Sequence, residues 1–325
     1  MMAKTTHDID ASNFEAWNCV RTDPAHVLEV SLQNLAESQE LSYQKGIAWA
    51  NGNIGAAYTW LSDWEKALEY SSKAVQLLRD ANEREQEARI IYIHCVIFDY
   101  LGDYDQLLRY ATDSLVLSKK INFGSGEANA LNGIGTAYYS IGKNEKAIHE
   151  LNKGKEKALE SEDRETLGRI YDGLGQAHYN LEDFEKAKHY KYKCLDIVNE
   201  LGIKQIQSFA HNGLGQIYAK LKDHKKALEH FDNAIELRNK LGFSSGVCES
   251  IIHKGNVYLE ENELKTSLEN FSEGLQIANE LKSHELQYKS HQGLAAVYEV
   301  VQDLEKQIFH FKAFHAHKES YQKEK

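Results

Sequence analysis

Small and apolar residues recur along this chain with a fixed period. A small residue stands three places before an aromatic at Gly55, Cys95, Gly135, Gly175, Gly215, Gly255 and Ala295, 40 residues apart each time and without insertion. The three-later column reads Tyr58, Phe98, Tyr138, His178, Tyr218, Tyr258 and Tyr298. Twelve after the small position stand Ala67, Leu107, Ala147, Ala187, Ala227, Ser267 and Gln307; seven further on stand Ala74, Ser114, Gly154, Cys194, Ala234, Gly274 and Phe314. Several columns keeping register seven times mark an internal repeat, and a repeat array grows along one axis instead of around one core.

Each 40-residue unit reads as two helices. In the unit around Gly175, Leu174, Gly175 and His178 mark one face of the first helix and Leu181 ends it. Asp183 then opens Phe-Glu-Lys-Ala, and Asp before a helical run is an N-cap because its carboxylate accepts from free backbone N–H groups of the first turn. The same turn recurs at Asp63, Asp103 and Asp223. Gly202 and Gly242, each after Leu, read as helix stops. The small columns let helices approach closely, and the aromatic column is expected to fill the gap between neighbouring units. Residues 1–40 form a worn first unit: Asp23-Pro24 aligns with Asp63-Trp64, Pro suits the first helical position, and Val27, Leu28, Ser31 and Leu35 keep the helical period. The helix before it, around Phe14 and Trp17, has a weaker pattern. The array proper spans 41–303, and 304–325 reads as a C-terminal capping helix on which Phe311 and Phe314 cover the open end of the last unit.

These columns resemble the tetratricopeptide repeat over about residues 41–318, most strongly around Gly55, Gly135, Gly175 and Gly215. The resemblance implies an all-α, right-handed superhelical solenoid. The family's usual unit is about 34 residues and often closes with Pro. Here the unit is 40, and Pro24 is the chain's single proline, so both helices are expected to be longer. Such arrays are similar to those of kinesin light chains and polarity adaptors, and to the sensory halves of bacterial signalling proteins. The latter end in a helix like His310-Phe-Lys-Ala-Phe-His-Ala-His-Lys-Glu and continue into a kinase or cyclase, whereas this sequence stops at Lys325.

Charge and composition narrow the function. Lys and Arg number 38 against 49 Asp and Glu, a net charge of −11, which is poor material for a phosphate backbone, so nucleic acid is not expected as a partner. No apolar run of membrane-spanning length occurs, the N-terminus lacks the apolar core of a signal peptide, and a cytoplasmic location is expected. Cys19, Cys95, Cys194 and Cys248 fit neither a disulfide framework nor a zinc spacing. Cys95 and Cys194 fall in small-residue columns, where packing accounts for them. Fifteen histidines raise the question of a metal; His315 and His317 point to opposite sides of a helix, and no His-Glu-x-x-His pair is present. His178 takes a Tyr position and is expected to be structural. The paired glycines, such as Gly133 and Gly135, recur at the repeat period and read as packing, not as a phosphate loop. No nucleophile–base pair stands out, so no enzyme, metal or cofactor is expected.

What packing leaves unexplained is the inner face. In the family the first helix of each unit lines the concave side, with positions three and six before the small column and one, four and five after it. Here these include Tyr92, Asn132, Asp172, Asn212, Trp49, Arg89, Arg169, Phe209, Gln176, Gln216, Tyr139, Tyr179, Trp60 and Asn180. An amide offers donors and an acceptor to a peptide main chain, and Tyr offers flat contact area at low entropic cost. The expected binding residues are Asn132, Tyr139, Arg169, Asp172, Gln176, Tyr179, Asn212 and Gln216, with Asn132 and Asn212 facing solvent. The competing reading has the amide column bridge neighbouring helices. Arg89, Arg169 and Lys289 share one column, but Asp99, Glu249, Glu260 and Glu299 lie on the same face, so a purely acidic ligand is not favoured. The expected function is peptide or protein recognition in a concave groove; the alternative is a scaffold acting through its outer face or ends.

Overall fold

The computed structural model describes residues 5–324, and the described residues form sixteen α-helices and no strand. They fall into two compact units, residues 1–173 and 174–325. The first holds α1 (Thr6–Cys19), α2 (Pro24–Glu40), α3 (Gln44–Trp60), α4 (Trp64–Asp80), α5 (Arg84–Leu101), α6 (Tyr104–Lys120), α7 (Gly124–Ser140), α8 (Asn144–Glu160) and the first part of α9 (Arg164–Asn180). The second holds the rest of α9, α10 (Phe184–Leu201), α11 (Lys204–Lys220), α12 (His224–Lys240), α13 (Ser244–Glu260), α14 (Leu264–Glu280), α15 (His284–Val300) and α16 (Leu304–Glu324).

The 40-residue period is two periods of 20, with helices of 17 or 18 residues in the array as the longer unit requires. After each helix from α2 to α15 one residue takes a left-handed conformation: Ser42, Ser62 and Asn82, then Gly102, and so on every 20 residues to Gln302. Gly202 and Gly242 sit there with φ of +68° and +67°, as their position after Leu suggests. The next backbone N–H bonds back to the carbonyl five residues earlier, as from Asp103 to Phe98 at 3.0 Å, which closes the helix end. Asp23, Asp63, Asp103, Asp183 and Asp223 then cap the following helix, each accepting from the backbone N–H three residues on, worth about 1 kcal/mol apiece. The first helices α3, α5, α7, α11 and α13 have no side-chain cap. In three of them an aromatic stands in the cap position, and the rings of Tyr43, Phe123 and Phe243 lie over Gly46, Gly126 and Gly246.

The two helices of a unit are built differently. Second helices bury one narrow stripe, such as Ala67, Ser71, Ala74 and Leu78 in α4 or Ala227, Phe231, Ala234 and Arg238 in α12. First helices are buried on most sides: α3 encloses eleven of its residues. They contact not only their sequence neighbours but one another, α1 on α3, α3 on α5 and α5 on α7 in the first unit, α11 on α13 and α13 on α15 in the second. This is the two-layer arrangement of a helical-repeat solenoid.

The small column from Gly55 to Ala295 is buried throughout. The rings of the aromatic column stack on the second helix of their own unit, and Tyr218 also reaches the preceding unit, its hydroxyl 2.9 Å from that of Tyr192 on α10. Phe98 stacks on Tyr110 at 5.4 Å, His178 on Tyr190 at 5.5 Å, Tyr218 on His230 at 5.4 Å and Tyr298 on His310 at 5.4 Å. The cause is the 12-residue offset between columns, which brings each ring opposite one turn of the returning helix. The capping Asp adds a third layer in some units: Lys66, Lys226 and Lys306 bond to Asp63, Asp223 and Asp303 and lie over Tyr58, Tyr218 and Tyr298, each at 5.1 Å.

The first unit begins with a full helix pair. α1 buries Ile9, Asn13 and Ala16 while leaving Phe14 exposed, and Asn34 of α2 donates to Asn13 at 3.1 Å. The apolar signal around Phe14 is therefore weak because half of the α1 contact is a buried amide pair. At the other end, α16 runs unbroken to Glu324. Phe314 meets Tyr288 edge-on at 6.0 Å, but Phe311 is 55% exposed, so the pair does not jointly cover the last unit.

Candidate functional site

The predicted binding residues lie on the first helices of their units, and within each compact unit they fall into local groups. In the first, α5, α7 and the start of α9 bring together Tyr92, Asn132 and Arg169. The Tyr92 hydroxyl accepts from Asn132 Nδ2 at 3.4 Å and from Arg169 Nη1 at 3.3 Å. Arg169 also pairs with Glu165 one turn earlier, and the same carboxylate oxygen meets Arg21 Nη1 at 2.5 Å from the turn after α1. Burial alone would raise the Glu165 carboxyl; Arg169 and Arg21 outweigh it and hold it below the usual carboxylate range. Burial acts against the charge on Arg169, but Glu165 and the Tyr92 oxygen more than reverse that and hold its proton above the usual guanidinium value. Tyr139 is half-buried beside Gly173, and burial first, then the negative charges of Asp99 and Asp172, raises its phenol.

In the second unit Gln176 donates to Asn180 at 3.0 Å, and Tyr179 lies tilted against Phe184 at 5.8 Å. Asn212 of α11 accepts from Ser250 of α13 at 2.9 Å, and Ser250 in turn accepts from Arg238 at 2.8 Å. Gln216 meets the ring of His253 at 3.2 Å.

Asn132 and Asn212 correct the expectation that they face solvent. They are 8% and 5% exposed, and both are committed to hydrogen bonds between first helices of successive units. A buried amide left without a partner would cost about 1–3 kcal/mol, which is why each finds one. The bridging role weighed for this column is thus what these two side chains do, while Arg169, Asp172, Gln176, Tyr179 and Gln216 keep partial exposure.

Arg21, Glu165 and Tyr92 belong to the first group and were not among the expected binding residues. Tyr92 lies in the same column as Asn132, so its place was available from the repeat. Arg21 lies in a turn, outside every column, and no periodicity announces its meeting with Glu165.

No group of three or more His, Cys, Asp or Glu suited to a metal ion occurs among the described residues. Cys95, Cys194 and Cys248 are buried and in no disulfide, and burial pushes the Cys248 thiol up to about 12. Among the described residues no helix is long and apolar enough to cross a membrane.

Layered helix pairs in a strict 20-residue rhythm define an all-α repeat protein of the solenoid class. A tetratricopeptide-repeat profile matches residues 166–240 and 205–280. The chain is 26% identical over 151 residues to tetratricopeptide repeat protein 29 of Trypanosoma brucei brucei, covering 46% of this chain and 31% of that one, so it spans about a third of that relative. Among solved structures it resembles a Rap protein complexed with competence and sporulation factor, with TM-score 0.69 and 16% identity over 98% of this chain and all of that one. It also resembles NprR in complex with its cognate peptide NprX, with TM-score 0.65 and 14% identity over 95% and 89%. A third likeness is to a signal-transduction ATPase with a tetratricopeptide-repeat sensor from Pyrococcus horikoshii, with TM-score 0.64 and 17% identity over 95% and 47%. The fold is an all-α tetratricopeptide-type solenoid, and the profile match places repeats of that kind within residues 166–280.

Proposed function

We propose that the protein is a non-enzymatic binding module, cytoplasmic and regulatory, that holds an extended peptide or protein segment against its first helices. The observation that carries this reading is the meeting of Tyr92, Asn132 and Arg169 on three successive first helices. Tyr92 and Asn132 bridge the helices beneath this face, and Arg169, tied to them, keeps partial exposure on it. A peptide laid along this face of the first unit would take donors from Arg169 and flat contact from Tyr139; a segment held on the second unit's own inner face would take amide contacts from Gln176 and Gln216. Tyr179 would add apolar area. Two proteins of like fold, the Rap protein and NprR, were solved with a signalling factor and a peptide bound. Three buried cysteine thiols outside any disulfide suit a reducing compartment.

The test is selection of peptides from a random display library on the intact chain, followed by affinity measurement with substitutions on each helix layer. Arg169→Ala and Gln216→Ala should each weaken selected peptides by tenfold or more, while Gln76→Ala and Glu156→Ala on second helices should leave affinity unchanged. The reverse pattern would refute the groove. It would favour the scaffold reading, which has its own support in the exposed row Leu304, Ile308 and Phe311 on α16.

A further inference from the structure

On α14, Leu264, Leu268, Phe271, Leu275 and Ala278 form one stripe, and α15 covers it with Leu286, Leu294 and Val297 in the same apolar cluster. Two contacts fix the register. Phe271 packs on Gly293, and a Cβ on Gly274 would stand 3.3 Å from Ser290 Oγ. Three residues forward on α14 match three residues back on α15, so the helices run antiparallel and Ala278 falls level with Leu286. Moved on by the 40-residue period, the stripe becomes Leu304, Ile308, Phe311, His315 and Lys318 of α16. Its first three positions keep their apolar character, yet they are 65%, 45% and 55% exposed. Among the described residues α16 packs on α15 and carries no helix on this side. The end of a solenoid is ordinarily faced with polar residues, and a contiguous apolar row left there marks an interaction surface.

We propose that this row on α16 docks a helix of another protein, which takes the place that α15 holds on α14. The repeat specifies the occupant. It runs antiparallel to α16 and sets a Gly, Ala or Ser against the Phe311 ring, as Gly293 stands against Phe271. A second small residue three places earlier meets Phe314, which fills the position of Gly274 and leaves less room. An aliphatic residue four places after the first small one covers Ile308, as Val297 falls beside Leu268 in the α14–α15 cluster. Seven places before that small residue stands an acid in place of a leucine, because Lys318 replaces Ala278. A second copy of the chain does not offer this pattern. Its α16 presents another ring, and its α1 has Thr6, Asp10 and Asn13 where α15 has Leu286, Ser290 and Gly293. α16 is a second helix and carries none of the inner-face residues, so the docking row is independent of the groove.

The probe is a synthetic copy of residues 284–300 with Leu286→Glu, fluorescein-labelled and titrated by anisotropy against the full chain. A lactam bridge on its far side holds the helix, since an isolated helix of this length is marginal in water. The parent chain should bind it, with Phe311→Ser weakening binding at least tenfold and Arg169→Ala leaving it unchanged. The same peptide with Gly293→Leu, which puts a side chain against the ring, should bind at least tenfold more weakly. Restoring Leu286 in the peptide should weaken binding about threefold, the scale of one exposed ion pair, and Lys318→Glu in the chain should reverse that order. Binding that survives Phe311→Ser would mean that the peptide enters the α14–α15 seam or another surface, and would overturn the docking row. Binding lost with Arg169→Ala would place the peptide in the groove and overturn it too, as would equal binding of the Gly293→Leu peptide. Failure of the parent chain to bind at millimolar peptide would overturn the row and leave the groove reading untouched. Sedimentation of the parent chain alone as a dimer that Phe311→Ser dissociates would make a second copy the occupant and overturn the partner helix.

Discussion

Phe231 lies so close to Gly215 that a Cβ built on the glycine would stand 2.5 Å from its ring. The contact recurs: the residue sixteen after each small position, Ser71, Leu151, Lys191, Phe231 or Phe271, packs on the glycine at 55, 135, 175, 215 or 255. Some also meet a second glycine two residues before the next small position, as Lys191 meets Gly213 and Phe271 meets Gly293. Leu151, Lys191 and Phe271 are held between glycines of two helices, so their size is matched to the absence of a Cβ on both.

That relationship predicts unequal outcomes for one substitution at two equivalent places. Gly215→Ala drives a methyl into a fully buried ring with no room to turn, and overpacking of this kind costs about 1–3 kcal/mol. Gly175→Ala meets only the methylenes of Lys191, at 2.9–3.1 Å; that stem is buried, but its several torsions let it yield by a few tenths of an ångström where a ring does not, and Ala gains up to about 1 kcal/mol over Gly within a helix. Thermal melts should therefore show a clear loss for Gly215→Ala and little change for Gly175→Ala. Equal losses would mean that the sixteen-residue column is not what sets the glycine requirement.

The fold was legible because its periodic elements carry chemistry in most copies: a small residue where backbones approach, Asp at the second-helix caps other than Lys143 and Glu263, an aromatic at a fixed offset. The contacts of that aromatic were not, since a one-dimensional column does not say whether a ring faces its own unit or the next. Asn132 and Asn212 show the same limit from the polar side. An amide on an inner helix reads alike whether it awaits a ligand or bridges to Tyr92 or Ser250, and only burial separates the two. Arg21 and Glu165 were beyond reach, because their contact depends on how several units of the first half curve together, which no repeat column encodes.

The turns offer a second prediction. Ten non-glycine residues hold the left-handed position that ends each helix, among them Glu182 with φ +59°. A residue with a Cβ is disfavoured there by about 1–2 kcal/mol, partly offset by the larger unfolded entropy of glycine. Glu182→Gly should raise the melting temperature, by up to about 1 kcal/mol of stability. Gly202→Ala, at φ +68°, should lower it by a similar amount. A melting temperature lowered by Glu182→Gly would show that its side chain contributes more than its backbone costs.

Acid should loosen the second unit. His211 and His230 face each other through Nδ1 atoms 2.9 Å apart, His291 and His310 likewise at 2.9 Å, and His284 and His317 at 3.1 Å. One proton between two nitrogens makes a hydrogen bond; two protons make a repulsion. Burial, then the partner ring, holds His211 and His291 at about 4; burial also lowers His230, His310 and His317, with Lys226 adding at His230 and His284 adding at His317. The folded state thus binds fewer protons than the unfolded one between about pH 6.5 and 4. The stabilisation is complete above pH 6.5 and drains away as pH falls toward 4. His291, 7% exposed, accounts for about 3 kcal/mol of it at most. Denaturant titrations should show stability falling through this window, and His291→Gln with His310→Gln should flatten the slope. An unchanged slope in that double variant would place the acid sensitivity elsewhere.

The last prediction separates two phenylalanines three residues apart on α16. Phe314 meets Tyr288 of α15, which Tyr321 also flanks at 5.7 Å, so Phe314 belongs to the seam between α15 and α16. Phe311 points outward with Leu304 and Ile308, at the spacing of one helical stripe. Truncating a ring in a half-buried seam removes packing and leaves a gap, so Phe314→Ala should destabilise by about 2 kcal/mol, less than the about 3–5 typical of a fully buried ring. Phe311→Ser removes apolar surface from water and should leave the melting temperature unchanged while improving solubility at high concentration. Removing α16 from Leu304 onward would do the opposite, baring Tyr288, His291 and Tyr298 on α15, and light scattering should report aggregation. If Phe311→Ser instead lowers the melting temperature as much as Phe314→Ala does, then Phe311 is covered in solution, and size-exclusion chromatography of the parent chain should reveal the larger assembly that covers it.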